Sequence, residues 1–211
     1  MRTVRNAKSF LAIDINTSLS IKRLITPELF SIEVIMRLMN TCSLKSYNLT
    51  EQIMECAVKI TLLRADFEDS DKLYSMQKKG FEELLEKYQD FETNPATESL
   101  ERVKDRLVNE KIDCYFVDLN GESIGYIRIY RFDEFSCRLS QMVIMPIFQG
   151  NGYAQQAIQE LEALYPHIVN WELDTIKQES KLCYLYEKMG YQKTGKEEKI
   201  KDGMDIVFYR K

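Results

Sequence analysis

Leu139-Ser140-Gln141-Met142-Val143-Ile144-Met145-Pro146, running on into Gln149-Gly150-Asn151-Gly152-Tyr153-Ala154, is the stretch on which the fold of this chain turns. Residues 139–145 read as a strand, and Pro146 stops it because proline donates nothing to a ladder. After the glycines, Ala154, Ala157, Ile158, Leu161 and Leu164 recur at helical spacing until Pro166. A strand that ends in a glycine turn and opens a helix leaves the first helical amides without partners. The helix dipole adds partial positive charge there, so a phosphate can bind without basic side chains. A tight connection that binds nothing has the same local pattern, and the turn alone leaves both readings open. Spacing removes two other phosphate cradles: a dinucleotide fingerprint needs glycine or alanine where Gln155 stands, and no G-x-x-x-x-G-K-[ST] run occurs.

Working towards the amino terminus, Asn120-Gly121 joins predicted strands at 113–119 and 123–132, because both positions of a tight hairpin turn favour positive φ. A charged helix is predicted over 98–109, after the break at Asn94-Pro95. Before it, Asp69 is the expected cap of a helix with Leu73, Met76, Gly80, Leu84 and Tyr88 on one face. Val58, Ile60 and Leu62 alternate as a strand. Towards the carboxyl terminus, 171–175 reads as a strand and 180–189 as a helix stopped by Gly190. Short strands at 191–193 and 205–209 surround a turn at Lys201-Asp202-Gly203. The order is β-α-α-β-β-β-α-β-α-β-β, an α/β chain with a mixed sheet.

Composition narrows the function. A chain of 211 residues with a net charge of -4 and no basic stripe is a poor nucleic-acid binder, since that binding needs clustered Lys and Arg. No apolar run approaches the roughly 18 residues of a membrane span, so no membrane partner is expected and the cytoplasm is the expected location. Five scattered cysteines and the single His167 supply neither a zinc set nor a disulfide framework, so no metal is expected.

Gln149-Gly150-Asn151-Gly152-Tyr153-Ala154 resembles the Q/R-x-x-G-x-G/A acyl-CoA loop of the GNAT superfamily of N-acetyltransferases. Val143-Ile144-Met145-Pro146 resembles the strand that ends before that loop. Leu185-Tyr186-Glu187-Lys188-Met189-Gly190-Tyr191 resembles the L-Y-E-K-x-G-F/Y element of the family's later helix. The resemblance spans roughly Val58 to Arg210, assigns 58–211 to an N-acetyltransferase domain, and implies a three-layer fold whose central, mostly antiparallel sheet splays at the loop-bearing strand and is flanked by helices. It implies acetyl-CoA as co-substrate, with its pantetheine arm along Val143, Ile144 and Met145 and its pyrophosphate on the amides of Gln149, Gly150, Asn151, Gly152, Tyr153 and Ala154. It also implies Tyr186 as general acid towards the leaving thiolate. The family's asparagine before the later helix is missing, and Ser180 is the polar substitute expected there. Dimers are common in the family, and a homodimer is compatible with it.

An amine acceptor is mostly protonated at neutral pH and needs a base. Glu172 is the leading candidate and Asp174 its rival; their spacing of two puts both on one face of a strand. The acidic run Glu82, Glu83, Glu86, Asp90 and Glu92 suits either a cationic amine or simply solvent. Residues 1–57 match nothing in the family pattern. They read either as an extension with one amphipathic helix beginning at Thr26-Pro27, or as sequence ahead of a start at Met54. The expected activity is acetyl transfer to a primary amine of a small molecule or peptide. A non-catalytic acyl-CoA-binding regulator and a structural domain are the competing classes.

Overall fold

The alternation at Ile60 and Leu62 becomes strand β1 (Ile60–Arg64) in the computed structural model, which describes residues 59–211. The helix expected from Thr26 and the alternative start at Met54 lie outside the described residues. Asp69 does not cap helix α1 (Ser70–Tyr88) with its side chain. A single tight turn, Phe67–Asp69, precedes the helix, and the Asp69 carboxylate instead accepts the Asp66 N–H at 3.1 Å. Helix α2 (Leu100–Leu107) starts from Ser99, whose hydroxyl accepts the Arg102 N–H at 3.3 Å. Strands β2 (Ile112–Leu119) and β3 (Glu122–Arg131) form the expected hairpin, with φ of 55° at Asn120 and 89° at Gly121. Strand β4 (Ser136–Ile144), helix α3 (Tyr153–Leu164), strand β5 (Asn170–Ile176) and helix α4 (Ser180–Lys188) follow. Strands β6 (Gln192–Lys201) and β7 (Met204–Arg210) close the chain.

The sheet has seven strands in the order β1-β2-β3-β4-β5-β7-β6, with every neighbouring pair antiparallel except β4 and β5. One face carries Ile127, Ile129, Cys137, Leu139, Trp171, Leu173 and Val207 into a core under Ala157, Ile158 and Leu161 of α3 and Cys183 and Tyr186 of α4. The other face puts Cys114, Phe116, Tyr126 and Val143 against Leu73 and Met76 of α1 and Val103 of α2. Burying these apolar side chains at about 25 cal/mol per Å2 is the main term holding the layers together. Within the second core Gln77 is buried, accepting from Tyr126 and donating to Glu98, so its polar groups are satisfied.

Where α1 crosses β4 there is no room for a side chain on the helix. A Cβ on Gly80 would stand 2.2 Å from Val143 Cγ1 and 3.2 Å from Val143 Cβ. On the neighbouring strand a Cβ on Gly125 would meet the Val143 carbonyl oxygen at 2.1 Å. Two glycines thus let helix and strand close directly onto Val143. Gly80→Ala is expected to destabilise the protein by about 1–3 kcal/mol through overpacking, despite alanine's roughly 1 kcal/mol better helix propensity. In a Val143→Ala background the same change should become neutral or stabilising, which chemical denaturation of the four combinations will read.

A candidate active site at the split in the sheet

The parallel ladder between β4 and β5 is short. It pairs Ser136 with Asn170 and ends at Leu139 with Leu173, after which β4 stays with β3 as far as Ile144 and β5 with β7 as far as Ile176. The cause lies in β4 itself. Ile129 pairs with Leu139 and Arg128 with Gln141, so Ser140 is an extra residue, and a bulge of this kind bends its strand away from its neighbour. The sheet therefore opens just past Leu139, towards the carboxyl end of β4.

At that end the chain makes one tight turn, Pro146–Phe148, and then reverses through Gly150 (φ 82°) and Gly152 (φ 80°) into α3. These φ values need glycine, and a Cβ at either would point into open space. No side chain caps α3, and the amides of Gln155 and Gln156 both turn back to the Gly152 carbonyl. The five amides before them, from Gly150 to Ala154, donate to nothing among the described residues. With no Lys or Arg in α3, the positive potential here comes from backbone alone. The loop is braced by its own polar side chains: Gln149 Nε2 donates to the Ile144 carbonyl at 2.8 Å, and Asn151 Nδ2 donates to the Phe148 carbonyl at 3.1 Å.

Along the opening, Met145 N–H is turned away, donating to the Ile124 carbonyl at 2.8 Å. Strand alternation then turns the N–H and carbonyl of Ile144 towards the gap. Val143 contributes its side chain to the contact with α1. Among the three strand residues expected to hold a pantetheine arm, Ile144 has the backbone groups that face it.

Tyr186 stands on the inner face of α4, buried, with the rings of Tyr191 and Tyr209 at 6.1 and 6.3 Å. The helix ends in a way that fixes this triplet: Gly190 (φ 90°) reverses the chain and the Tyr191 N–H donates to the Tyr186 carbonyl at 3.0 Å. The Tyr186 hydroxyl donates no hydrogen bond among the described residues. Burial, reinforced by the negative charge of Asp174, pushes its phenol above the ordinary value, so it stays protonated.

The two carboxylates of β5 separate. Glu172 lies on the closed part of the ladder, opposite Arg138, and its carboxylate is held by Arg210 at 2.5 Å. Asp174 lies just past the last β4–β5 pair, ion-paired with Arg138, near enough for its charge to act on Tyr186. The geometry therefore brings Asp174 to the opening and keeps Glu172 out of it. Ser180 is exposed at the first turn of α4 and makes no hydrogen bond among the described residues.

Its neighbour Glu179, which sequence reasoning passed over, lashes two elements together. Its Oε1 accepts from Lys87 Nζ at 2.5 Å and from the Tyr88 hydroxyl at 2.6 Å, tying the end of α1 to the start of α4. Burial opposes the Glu179 charge, but these two bonds outweigh it and hold the carboxyl below its usual range. A residue in the cap position of a helix was the available signal. The acidic run resolves as mostly solvated: Glu82, Glu83, Glu86 and Glu92 are exposed, while buried Asp90 ties its own turn by accepting the Thr93 N–H at 3.1 Å. A polar groove is lined by Phe91, Asn94, Glu98 and Arg102 among others. Among the described residues, no three His, Cys, Asp or Glu side chains are placed to hold a metal ion.

Residues 74–211 match the profile of the acetyltransferase (GNAT) domain. No curated protein matches the chain by sequence. Among solved structures, an acetyltransferase from Thermus thermophilus superposes with a TM-score of 0.56 at 17% identity, over 73% of this chain and 97% of that one. A PaiA N-acetyltransferase from Thermoplasma acidophilum, in complex with coenzyme A, gives 0.58 at 17% identity over 72% and 98%. The ribosomal-protein-S18-alanine N-acetyltransferase of Escherichia coli gives 0.58 at 13% identity over 72% and 92%. At such identities the likeness speaks for the fold, and the profile match speaks for descent.

Proposed function

The chain belongs to the acetyltransferase (GNAT) family, and from that premise we propose that it moves an acetyl group from acetyl-CoA to a primary amine of a small molecule or peptide by direct attack. The observation that carries this reading is the split between β4 and β5 opening beside five amides that have no partner among the described residues. The fit to the co-substrate is physical. A backbone cradle with no bulk at Gly150 and Gly152 suits a pyrophosphate, and the Ile144 N–H on the gap side of β4 suits an amide-bearing arm. We assign residues 58–211 to this domain, residues 1–57 to an extension, and the cytoplasm as its place of work.

Acetyl-CoA, when bound, supplies a thioester carbon open to attack and a thiolate leaving group. The chain's own part is proton handling and exclusion of water. Asp174, at the opening on the α1 and α2 face, is placed to take the proton that the incoming ammonium must lose. Tyr186, on the α3 and α4 face and kept neutral by burial, is placed to give a proton to the departing sulfur. The Glu179 lash to Lys87 and Tyr88 holds the end of α1 against the start of α4, the helix that carries Tyr186.

An amine panel incubated with acetyl-CoA, read by free-thiol release and by product mass, tests the activity. Turnover of at least one amine at many times the rate of water is expected, and CoA binding without any acetylated amine overturns it. Asp174→Asn is expected to lower kcat/KM at neutral pH about 10- to 100-fold, with the loss shrinking at alkaline pH as the free amine becomes abundant. Glu172→Gln should stay within about 3-fold of the parent, because an exposed pair such as Glu172 with Arg210 contributes little.

A further inference from the structure

On the α1 and α2 face of the sheet the charges near the split are matched, with one exception. Arg138 pairs with Asp174, Arg210 with Glu172, and Arg106 with Glu98 through both carboxylate oxygens. Arg128 pairs with nothing among the described residues. It alternates along β3 with Ile127 and Ile129, which enter the core beneath α3, so its side chain emerges on the opposite face. Its cross-strand neighbours there are Cys114 of β2 and Gln141 of β4.

The acceptors within that neighbourhood are already committed. Gln141 Oε1 takes the Tyr126 hydroxyl at 2.9 Å, and Glu98 takes Arg106 and, at 2.8 Å, Gln77 Nε2. The Arg128 guanidinium makes no hydrogen bond or ion pair among the described residues and is only partly exposed. Burial and the like charge of Arg106 both weigh against its positive charge, and the Glu98 carboxylate, bonded to Arg106 and Gln77, supports it only at a distance. A largely desolvated cation with no carboxylate in direct contact carries a penalty in a folded protein, and an anion beside it would relieve that penalty.

Position decides which anion. Gln141 is the first β4 residue beyond the Ser140 bulge, so Arg128 flanks the apex of the split, on the same face as Asp174. In an unbroken sheet the backbones of β3 and β5 would stand two strand spacings, roughly 10 Å, apart; at the apex of the split they stand further apart, leaving room between Arg128 and Asp174 for a small acceptor. The phosphates of the co-substrate belong at the start of α3, on the opposite face. We propose that Arg128 holds a carboxylate of the acceptor, so that the acceptor is an amino acid or similar amine whose carboxylate lies close to its amino group. The planar guanidinium fork fits a carboxylate with two parallel hydrogen bonds, which an ammonium cannot imitate.

The inference rests on the proposed acetyl transfer only for its kinetic arm, so the experiment has two. In the first, each common amino acid is offered beside its carboxamide, with spermidine as a carboxylate-free amine, and thiol release is followed. The parent should prefer the free acid. Arg128→Gln should raise KM for it about 10- to 100-fold, leaving the amide and the CoA affinity unchanged, and Arg128→Lys should recover part of the loss. In the second, thermal midpoints with CoA present are measured with and without N-acetyl amino acids. Stabilisation that Arg128→Gln abolishes supports the anion site even if no amine is turned over, a result that would sink the proposed transferase activity alone. If the parent uses amides or spermidine as well as free acids, or if Arg128→Gln folds and keeps the acid preference, the assignment is wrong. Should Arg128→Gln fail to fold, Arg128→Lys decides: an unchanged preference for acids overturns it.

Discussion

Gly152→Pro combined with Gln149→Ala is expected to weaken CoA binding at least about 100-fold while leaving the fold intact. Proline fixes φ near -65°, whereas residue 152 sits at +80°, so the backbone there cannot keep its path. The substitution also deletes one of the five amides that lack a partner among the described residues and tilts its neighbours out of convergence. Two charge-assisted hydrogen bonds at roughly 1.5–3 kcal/mol each already exceed the 2.7 kcal/mol that corresponds to a hundredfold. Gln149→Ala removes the 2.8 Å tie to the Ile144 carbonyl, so the loop and the edge of β4 lose their common brace. Open space around Gly150 and Gly152 means that the core is not touched. Calorimetric titration with CoA, beside a melting curve without it, reads both halves of the expectation. Unchanged affinity in a folded variant would remove the anion cradle from the mechanism.

Tyr186→Phe is expected to reduce kcat by about 100- to 10,000-fold, the span typical of losing one proton-transfer group, with the dissociation constant for acetyl-CoA moving less than about 3-fold. The change deletes one oxygen and keeps the ring between Tyr191 and Tyr209, so packing should survive. The hydroxyl donates to no described group, and its loss orphans no acceptor. Because burial holds the phenol above its ordinary pKa, the parent should show no loss of activity from Tyr186 ionisation below about pH 10. Stopped-flow thiol release across pH 6–10 measures this. An active phenylalanine variant would pass the departing thiolate to solvent.

The element order was legible because each layer obeys a period: α1 repeats at helical spacing through Leu73 and Met76, and Asn120-Gly121 turns with both φ positive. The sequence marks a strand only at 191–193, yet β6 spans ten residues. Nearly all of it is exposed at the sheet edge, so no burial imposed an alternation that a reader of Gln192–Lys201 could detect. The glycine cradle was legible because φ near +80° is written as glycine. The proposed preference for Asp174 over Glu172 was not, since it rests on where the β4–β5 ladder stops. That is set by an extra residue, Ser140, whose side chain has no distinctive signature. Glu179 and Arg128 were missed for a related reason: their meaning comes from partners 91 residues away in one case and from the lack of partners in the other.

The seam between β4 and β5 also divides the described chain by sequence. Every strand up to Ile144 lies on one side of it and every strand from Asn170 on the other, with only α3 and its flanking loops crossing between them. Four residue pairs stitch the two portions along the ladder, and the end of α1 is tied to the second portion by Lys87 and Tyr88 to Glu179 and by Lys201 to the Gln89 carbonyl. Mechanically this is a clasp with a fixed hinge and a few polar latches, and a ligand seated in the jaw bridges two bodies that the backbone joins once. Hydrogen exchange should therefore report the seam as the first line to part, and acetyl-CoA as the rivet that closes it.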